Sequence, residues 1–217
     1  MKSFIFSLIL SLVIVSLALA GGEPVPQNNN NEELILEDFA AGVLDNNWWR
    51  FGNLKDSFAV PENPAVGKFY LKLSGVASDW FAGGRGFYVA KDASKFNAIE
   101  FWLLGQGVNS GKIKVELFDD DNNNMGIEQD KDFKPINDDK LEYEMKINWK
   151  GWKKVVIPFK SFIDTNPGIG NDKWDPKGFA GSGGLIQVQF IFVASSESGM
   201  MDTGLGKISL VKQDEKK

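Results

Sequence analysis

Trp102 stands beside Glu100 in the run 97–121 (NAIEFWLLGQGVNSGKIKVELFDDD), with Lys114 and Glu116 past the turn. A flat aromatic ring among carboxylates and ammonium groups suits one chemistry above others. Sugar rings stack on aromatic faces while neighbouring carboxylates and amides bind their hydroxyls. The run reads as two β-strands joined by a Gly/Asn/Ser turn. Successive strand side chains point to opposite faces, so Ile99, Phe101, Leu103, Ile113, Val115 and Leu117 share one face. Glu100, Trp102, Lys114 and Glu116 share the other. A tryptophan on the polar side of such a pair calls for a ligand or a cover.

The same parity extends to other strands. In 184–194, Ile186, Val188, Phe190 and Phe192 oppose Gln187, Gln189, Ile191 and Val193, and in 68–74, Phe69, Leu71 and Leu73 oppose Tyr70 and Lys72. If these strands share a sheet, its outer face carries Trp102, Glu100, Glu116, Gln187, Gln189 and Lys72. Ile191 and Val193 break the pattern and point to partial cover. A loop offers a second ligand candidate, Trp80 with Asp79 beside it and Arg85 close after. Trp48, Trp49, Trp149 and Trp152 start strands and read as caps on the core. Trp174 in GNDKWDP reads equally as a loop anchor or a platform.

Ten short strands are expected: 34–40, 48–51, 68–74, 87–90, 98–104, 112–118, 142–147, 153–159, 185–194 and 206–212. Gly, Pro and Asn/Asp clusters separate them, among them 83–86, 105–111 and 167–170. Residues 161–164 allow one helical turn. Such spacing indicates an all-β fold, a sandwich or a barrel. Nothing repeats at a fixed period, which removes propellers and solenoids.

Met1-Lys2, the apolar run from Phe4 to Leu19 and Ala18-Leu19-Ala20 form a secretory signal cleaved after Ala20. A run of 16 residues is short for a bilayer span, which takes about 20. Domain boundaries follow: signal 1–20, flexible linker 21–33, β-sandwich 34–212 and a disordered tail 213–217. The mature chain is expected to be exported, periplasmic or extracellular, with no membrane span. It has no cysteine, so its core or a metal must hold it. The formal charge of −5, with no basic cluster, argues against nucleic acid and anionic membranes. The absence of histidine and cysteine removes the common catalytic triads and thiol nucleophiles. A glycosidase needs two carboxylates at a set separation; Glu100 and Glu116 on adjacent strands would be the pair to test.

Asp119, Asp121 and Asn123 in DDDNNN fit the D-x-D-x-N spacing of a hard-cation loop, although Asp130 stands where a twelfth-position Glu would be. The alternative is an acidic, solvated turn. Asp164-Thr165-Asn166 and Asn171-Asp172 with Asp175 form another oxygen-rich stretch.

The order of signals LEDFA, WW.FG, VGKFYLKLSG, GGRGF, DASKFNAIEFW, KIKVELFDDD, NWKGWKKVVIPFKSF, GLIQVQF and GKISLV resembles the jelly-roll carbohydrate-binding modules of the galactose-binding-like superfamily. The likeness spans 34–212. It implies a two-sheet antiparallel β-sandwich of jelly-roll type, with a poly- or oligosaccharide partner bound on a sheet face or at loop tips. It also implies one structural calcium ion where the first and last strands meet, for which Glu37, Asp38 and Asp202 remain. Where such modules commonly carry an Asp/Asn pair, this chain has Gly206 and Lys207. The sequence therefore predicts a non-catalytic glycan-binding protein. The rival is a structural protein of a cell-surface or periplasmic assembly, a filament sheath or envelope scaffold, using the same face for protein contacts.

Overall fold

The computed structural model describes residues 32–107, 110–178 and 184–214. The signal, most of the linker and the last three residues of the tail lie outside them. Among the described residues twelve strands form: β1 Glu33–Glu37, β2 Trp48–Gly52, β3 Lys55–Ala59, β4 Tyr70–Val76, β5 Phe81–Lys91 and β6 Ala98–Gln106. They continue with β7 Lys112–Asp119, β8 Lys140–Lys146, β9 Lys150–Pro158, β10 Ile163–Asp164, β11 Leu185–Val193 and β12 Met200–Val211.

All pairings are antiparallel, in two six-stranded sheets. The first sheet runs β3-β4-β12-β6-β9, with β1 beside the far half of β12; the second runs β10-β8-β7-β11-β5-β2. The inward sides of the two sheets form one core. Ile99, Phe101 and Leu103 of β6 meet this core from the first sheet, and Ile113, Val115 and Leu117 of β7 from the second, all fully buried. Phe101 packs edge-on against Phe190 of β11 at 5.2 Å between ring centroids, joining the two layers.

The β6–β7 link is thus a crossover between sheets. Alternation assigns the buried residues correctly, but a hairpin and a crossover bury the same ones. In the crossover, the outward residues of β6 and β7 end up on opposite sides of the molecule. Strands β3 and β10 are additional to the ten expected. β5 runs straight through Gly83–Gly86, which the sequence presents as a turn. A 3-10 turn at Phe159–Ser161 stands near the expected single turn. Gln213, at the start of the tail, exchanges hydrogen bonds with Asn97.

Arg85 lies inside the sandwich, 1% exposed, donating to the carbonyls of Gly84 and Leu54 and pairing with Asp56 of β3 at 2.9 Å. The pair ties the two sheets together. Burial alone would raise the Asp56 carboxyl, but bonds and charge from Arg50 and Arg85 outweigh it and hold it below the usual aspartate value. Such a group favours the folded state above the ordinary aspartate range and loses that contribution as pH falls through its lowered value. Asp56→Asn is expected to cost about 1–2 kcal/mol at neutral pH and to shrink the loss of stability below about pH 4. Urea midpoints at pH 7 and pH 3 check this.

Candidate functional site

The outer face of the second sheet presents three rows of side chains across its strands. The middle row runs Trp49, Gly86, Gln189, Glu116, Glu142 from β2 to β8. Beside it lie Phe51, Gly84, Ile191, Lys114, Glu144 and, on the other flank, Tyr88, Gln187, Phe118, Lys140. The glycines explain the shape. A Cβ on Gly86 would lie 2.3 Å from the Trp49 ring, and one on Gly84 would lie 2.2 Å from the Phe51 ring. Both rings therefore lie down over bare β5 backbone, and the GGRG sequence is the floor beneath two aromatic plates.

Polar groups continue the platform. Trp49 Nε1 donates to Gln189 Oε1 at 3.0 Å, Gln189 Nε2 donates to Glu116 Oε2 at 2.5 Å, and Lys140 Nζ donates to Glu116 Oε1 at 2.9 Å. This chain fixes each group's orientation from β2 to β8. The segment 120–139 between β7 and β8 overhangs the face. Gln129, Asp132, Phe133 and Lys134 form the far wall of a groove of about 670 Å³ whose floor includes Trp49, Phe51, Glu116, Gln187, Gln189 and Ile191. Phe133 is 80% exposed and Tyr88 Oη holds the segment through the Met125 carbonyl at 2.8 Å. Ile191 is thus groove floor, half-buried beneath the overhang.

The eight residues expected to meet a ligand do not form one platform. Glu116, Gln187 and Gln189 are together in this groove, whereas Trp102, Glu100 and Lys72 lie outward on the first sheet. There, Lys154 pairs with Glu100 at 2.9 Å and sits over the Trp102 ring at 5.7 Å. The Pro64–Val66 turn covers the adjoining β12 backbone, Val66 Cγ1 lying where a Gly206 Cβ would fall. Tyr70 and Trp152 meet edge-on above Gly204 on the same side. Trp80 is 45% exposed in the turn before β5, apart from the groove residues. Arg85 is no partner for it, because its guanidinium is committed inside the sandwich. Glu100 and Glu116, on opposite sheets and each paired with lysine, are not a carboxylate pair for glycoside hydrolysis.

Among the other tryptophans, Trp48 stacks on Phe87 at 4.3 Å in the core, as a cap should. Trp49, its neighbour, points the other way. Parity within WWRFG requires that, and the pair WW with a glycine strand opposite was the available signal. Trp174 packs on Phe159 at 4.9 Å and lines a second groove of about 610 Å³, which also anchors its loop.

Asp119 and Asp121 do meet other acids. Each offers an oxygen within 4.8 Å of Asp139, and Asp139 forms a second such group with Asp164 and Asp172. The two oxygen-rich stretches thus converge, while Asp130 caps its own loop. Asp119 and Asp139 are 0% and 1% exposed. Asp119 Oδ2 accepts the Asp175 N–H at 3.1 Å, but Asp119 Oδ1 and Asp175 Oδ1 are buried without a hydrogen-bond partner among the described residues. None of the ion pairs among the described residues reaches this cluster. Burial, with added repulsion from Asp121, Asp139 and Asp175, pushes the Asp119 carboxyl up to about 8. Burial and Asp139 bring Asp121 to about 6. Buried carboxylates without a counter-charge are costly, and an all-oxygen donor set fits a hard divalent cation.

The set expected near the first and last strands does not assemble. Glu37 accepts from the Phe39 N–H and from Trp48 Nε1, and Asp38 accepts from the Ala40 N–H. Glu37 sits opposite Ile208, six residues along β12 from Asp202. That is about 20 Å at strand rise.

No family model matches the chain, and no curated protein matches it. Solved structures do. A family 11 carbohydrate-binding module from Clostridium thermocellum, in complex with a β-1,3-1,4-mixed-linked tetrasaccharide, is 19% identical with a TM-score of 0.56, covering 85% of this chain and 98% of that one. The family 11 module of the cellulosomal cellulase Lic26A-Cel5E of the same organism is 19% identical with a TM-score of 0.53, covering 85% and 97%. An agarase matches at 11% identity and a TM-score of 0.55, over 85% of this chain and 25% of that one. At these identities the likeness is one of fold. The chain has a two-sheet jelly-roll architecture like that of these modules and carries an aromatic cluster on one outer face.

Proposed function

We propose that this chain is an exported, non-catalytic glycan-binding protein that seats a linear β-glucan in the groove of the second sheet. One observation carries the reading: Trp49 and Phe51 lie flat over the Gly84 and Gly86 backbone, beside a fixed Gln189–Glu116–Lys140 hydrogen-bond chain. Flat, half-buried rings on a groove floor take the faces of sugar rings, and the row of amide, carboxylate and ammonium takes their hydroxyls. Gln187 and Gln189 bring amides that can both donate and accept, as a hydroxyl does. The open groove crosses several strands about 4.8 Å apart, which suits a chain of sugars better than a single one. The mixed-linked tetrasaccharide belongs to the family 11 module, and it supports mixed-linkage β-glucan as the first probe here.

Calcium is the cation we assign to Asp119, Asp121 and Asp139, with Asp164, Asp172 and Asp175 around them. Carboxylates on three separate segments provide the many oxygens that calcium takes in irregular geometry.

Affinity electrophoresis through gels containing mixed-linkage β-glucan, cellulose derivatives or xylan tests the reading. Retention by at least one β-glucan is expected, and Trp102→Ala, on the opposite sheet, is expected to be retained as strongly as the parent. No retention by any of them, with concentration-dependent self-assembly instead, would overturn it in favour of a protein-contact role.

A further inference from the structure

The segment 120–139 serves both the acidic cluster and the groove. Its first and last residues are buried: Asp120, Asp138 and Asp139 are each 0–1% exposed, next to Asp119 at the end of β7. Its middle is the groove wall, with Asp132, Phe133 and Lys134. Asp121 ties the two ends, its carboxylate accepting the Asp139 N–H at 2.9 Å while its own N–H donates to Asp138 Oδ1 at 3.1 Å. The same Asp121 and Asp139 then face Asp119 in the cluster. Like charges at this separation repel, and here repulsion acts across the neck of the overhanging segment. The buried Asp119 Oδ1, with no hydrogen-bond partner among the described residues, suits a cation ligand rather than a solvated turn.

We propose that a divalent cation held by Asp119, Asp121 and Asp139 clamps the neck of the 120–139 segment and thereby sets the glycan affinity of the groove. The proposal rests on the glycan-binding reading of that groove. With the cation bound, the ends of the segment are drawn together and Phe133 is held above Trp49 and Phe51. Without it, the neck opens, the wall loses its fixed position, and a glycan must order the segment as it binds. The cation acts through the wall and needs no contact with sugar.

The purified protein is titrated with mixed-linkage β-glucan calorimetrically, in calcium and after chelation, and amide hydrogen exchange of 120–139 is followed with calcium alone. Calcium is expected to slow exchange across the segment and to tighten glucan binding at least tenfold. Asp139→Asn is expected to bind glucan equally with and without calcium, at the weaker value. Phe133→Ala, away from the cluster, is expected to keep calcium-dependent exchange protection while losing most of the calcium-dependent affinity. Glucan binding that is unchanged by calcium overturns the clamp and leaves the groove reading standing. Calcium protection of 120–139 with no glucan binding under either condition overturns the groove reading and, with it, the coupling. Exchange unaffected by millimolar calcium removes the cation from the neck.

Discussion

Trp49→Ala is expected to weaken β-glucan binding by about 30-fold, the fold-change for a central aromatic hot spot of about 2 kcal/mol. The substitution deletes one of two plates and also leaves Gln189 Oε1 without the indole N–H that positions it. Loss of that orientation reaches Glu116 through the Gln189 amide, so stacking and hydroxyl recognition fail together. Trp49→Phe keeps a ring and loses the donor, and should fall between parent and Trp49→Ala. Gly86→Ala provides an independent approach from beneath. Its methyl would lie 2.3 Å from the indole, so the ring must lift from the backbone, and binding should weaken without any change to the aromatic inventory. Calorimetry on the three variants checks the series. A loss of less than threefold for Trp49→Ala would take that residue out of the binding surface.

Calcium at 100 times its dissociation constant is expected to raise the melting temperature by about 5–10 °C, because a ligand specific to the folded state at that ratio contributes about 2.7 kcal/mol and a domain of this size gains roughly 2–4 °C per kcal/mol. The sign follows from the cluster. Asp119, Asp121 and Asp139 lie together with buried oxygens and no lysine or arginine paired to them among the described residues. A cation turns that mutual repulsion into shared attraction. Asp139→Asn removes both one ligand and one like charge. It should therefore abolish the calcium increment, whereas in chelator the relief of repulsion is offset by an amide NH2 facing one of the Asp172 and Lys173 N–H groups that Asp139 accepts. Magnesium, which demands near-octahedral geometry and sheds its waters reluctantly, should give a smaller shift at equal concentration. Scanning calorimetry in calcium, magnesium and chelator separates these outcomes, and a melting temperature indifferent to millimolar calcium would dispose of the site.

The two results draw on residues of very different visibility. Asp119 and Asp121 stand two apart in an acidic run, and their spacing alone suggests a hard cation. Their partner Asp139 is 18 residues further on from Asp121, across the loop, and Asp175 arrives from beyond β10. No local pattern marks either as part of the set. Trp49 sits next to Trp48 and reads as another core cap until the glycines opposite are known to be strand rather than turn. Gly83–Gly86 looks like a turn because glycine is the usual turn residue. In β5 it is strand, since Trp49 and Phe51 cover its outer face and neighbouring strands take its hydrogen bonds.

By itself the sequence determined the all-β class, most strand positions and the inward residues. Alternation of polar and apolar side chains is a local property, and burial enforces it strongly. It determined the outward residues equally well. Glu100, Trp102, Glu116, Gln187 and Gln189 do all point away from the core. Only the tertiary structure decided which of them are neighbours. The β6–β7 crossover sends Trp102 and Glu100 to one side of the sandwich and Glu116 to the other, where β11 brings Gln187 and Gln189 and β2 brings Trp49. Side-chain parity is written into each strand, but strand order is set by how the whole chain closes its core, and the composition of a binding face depends on that order.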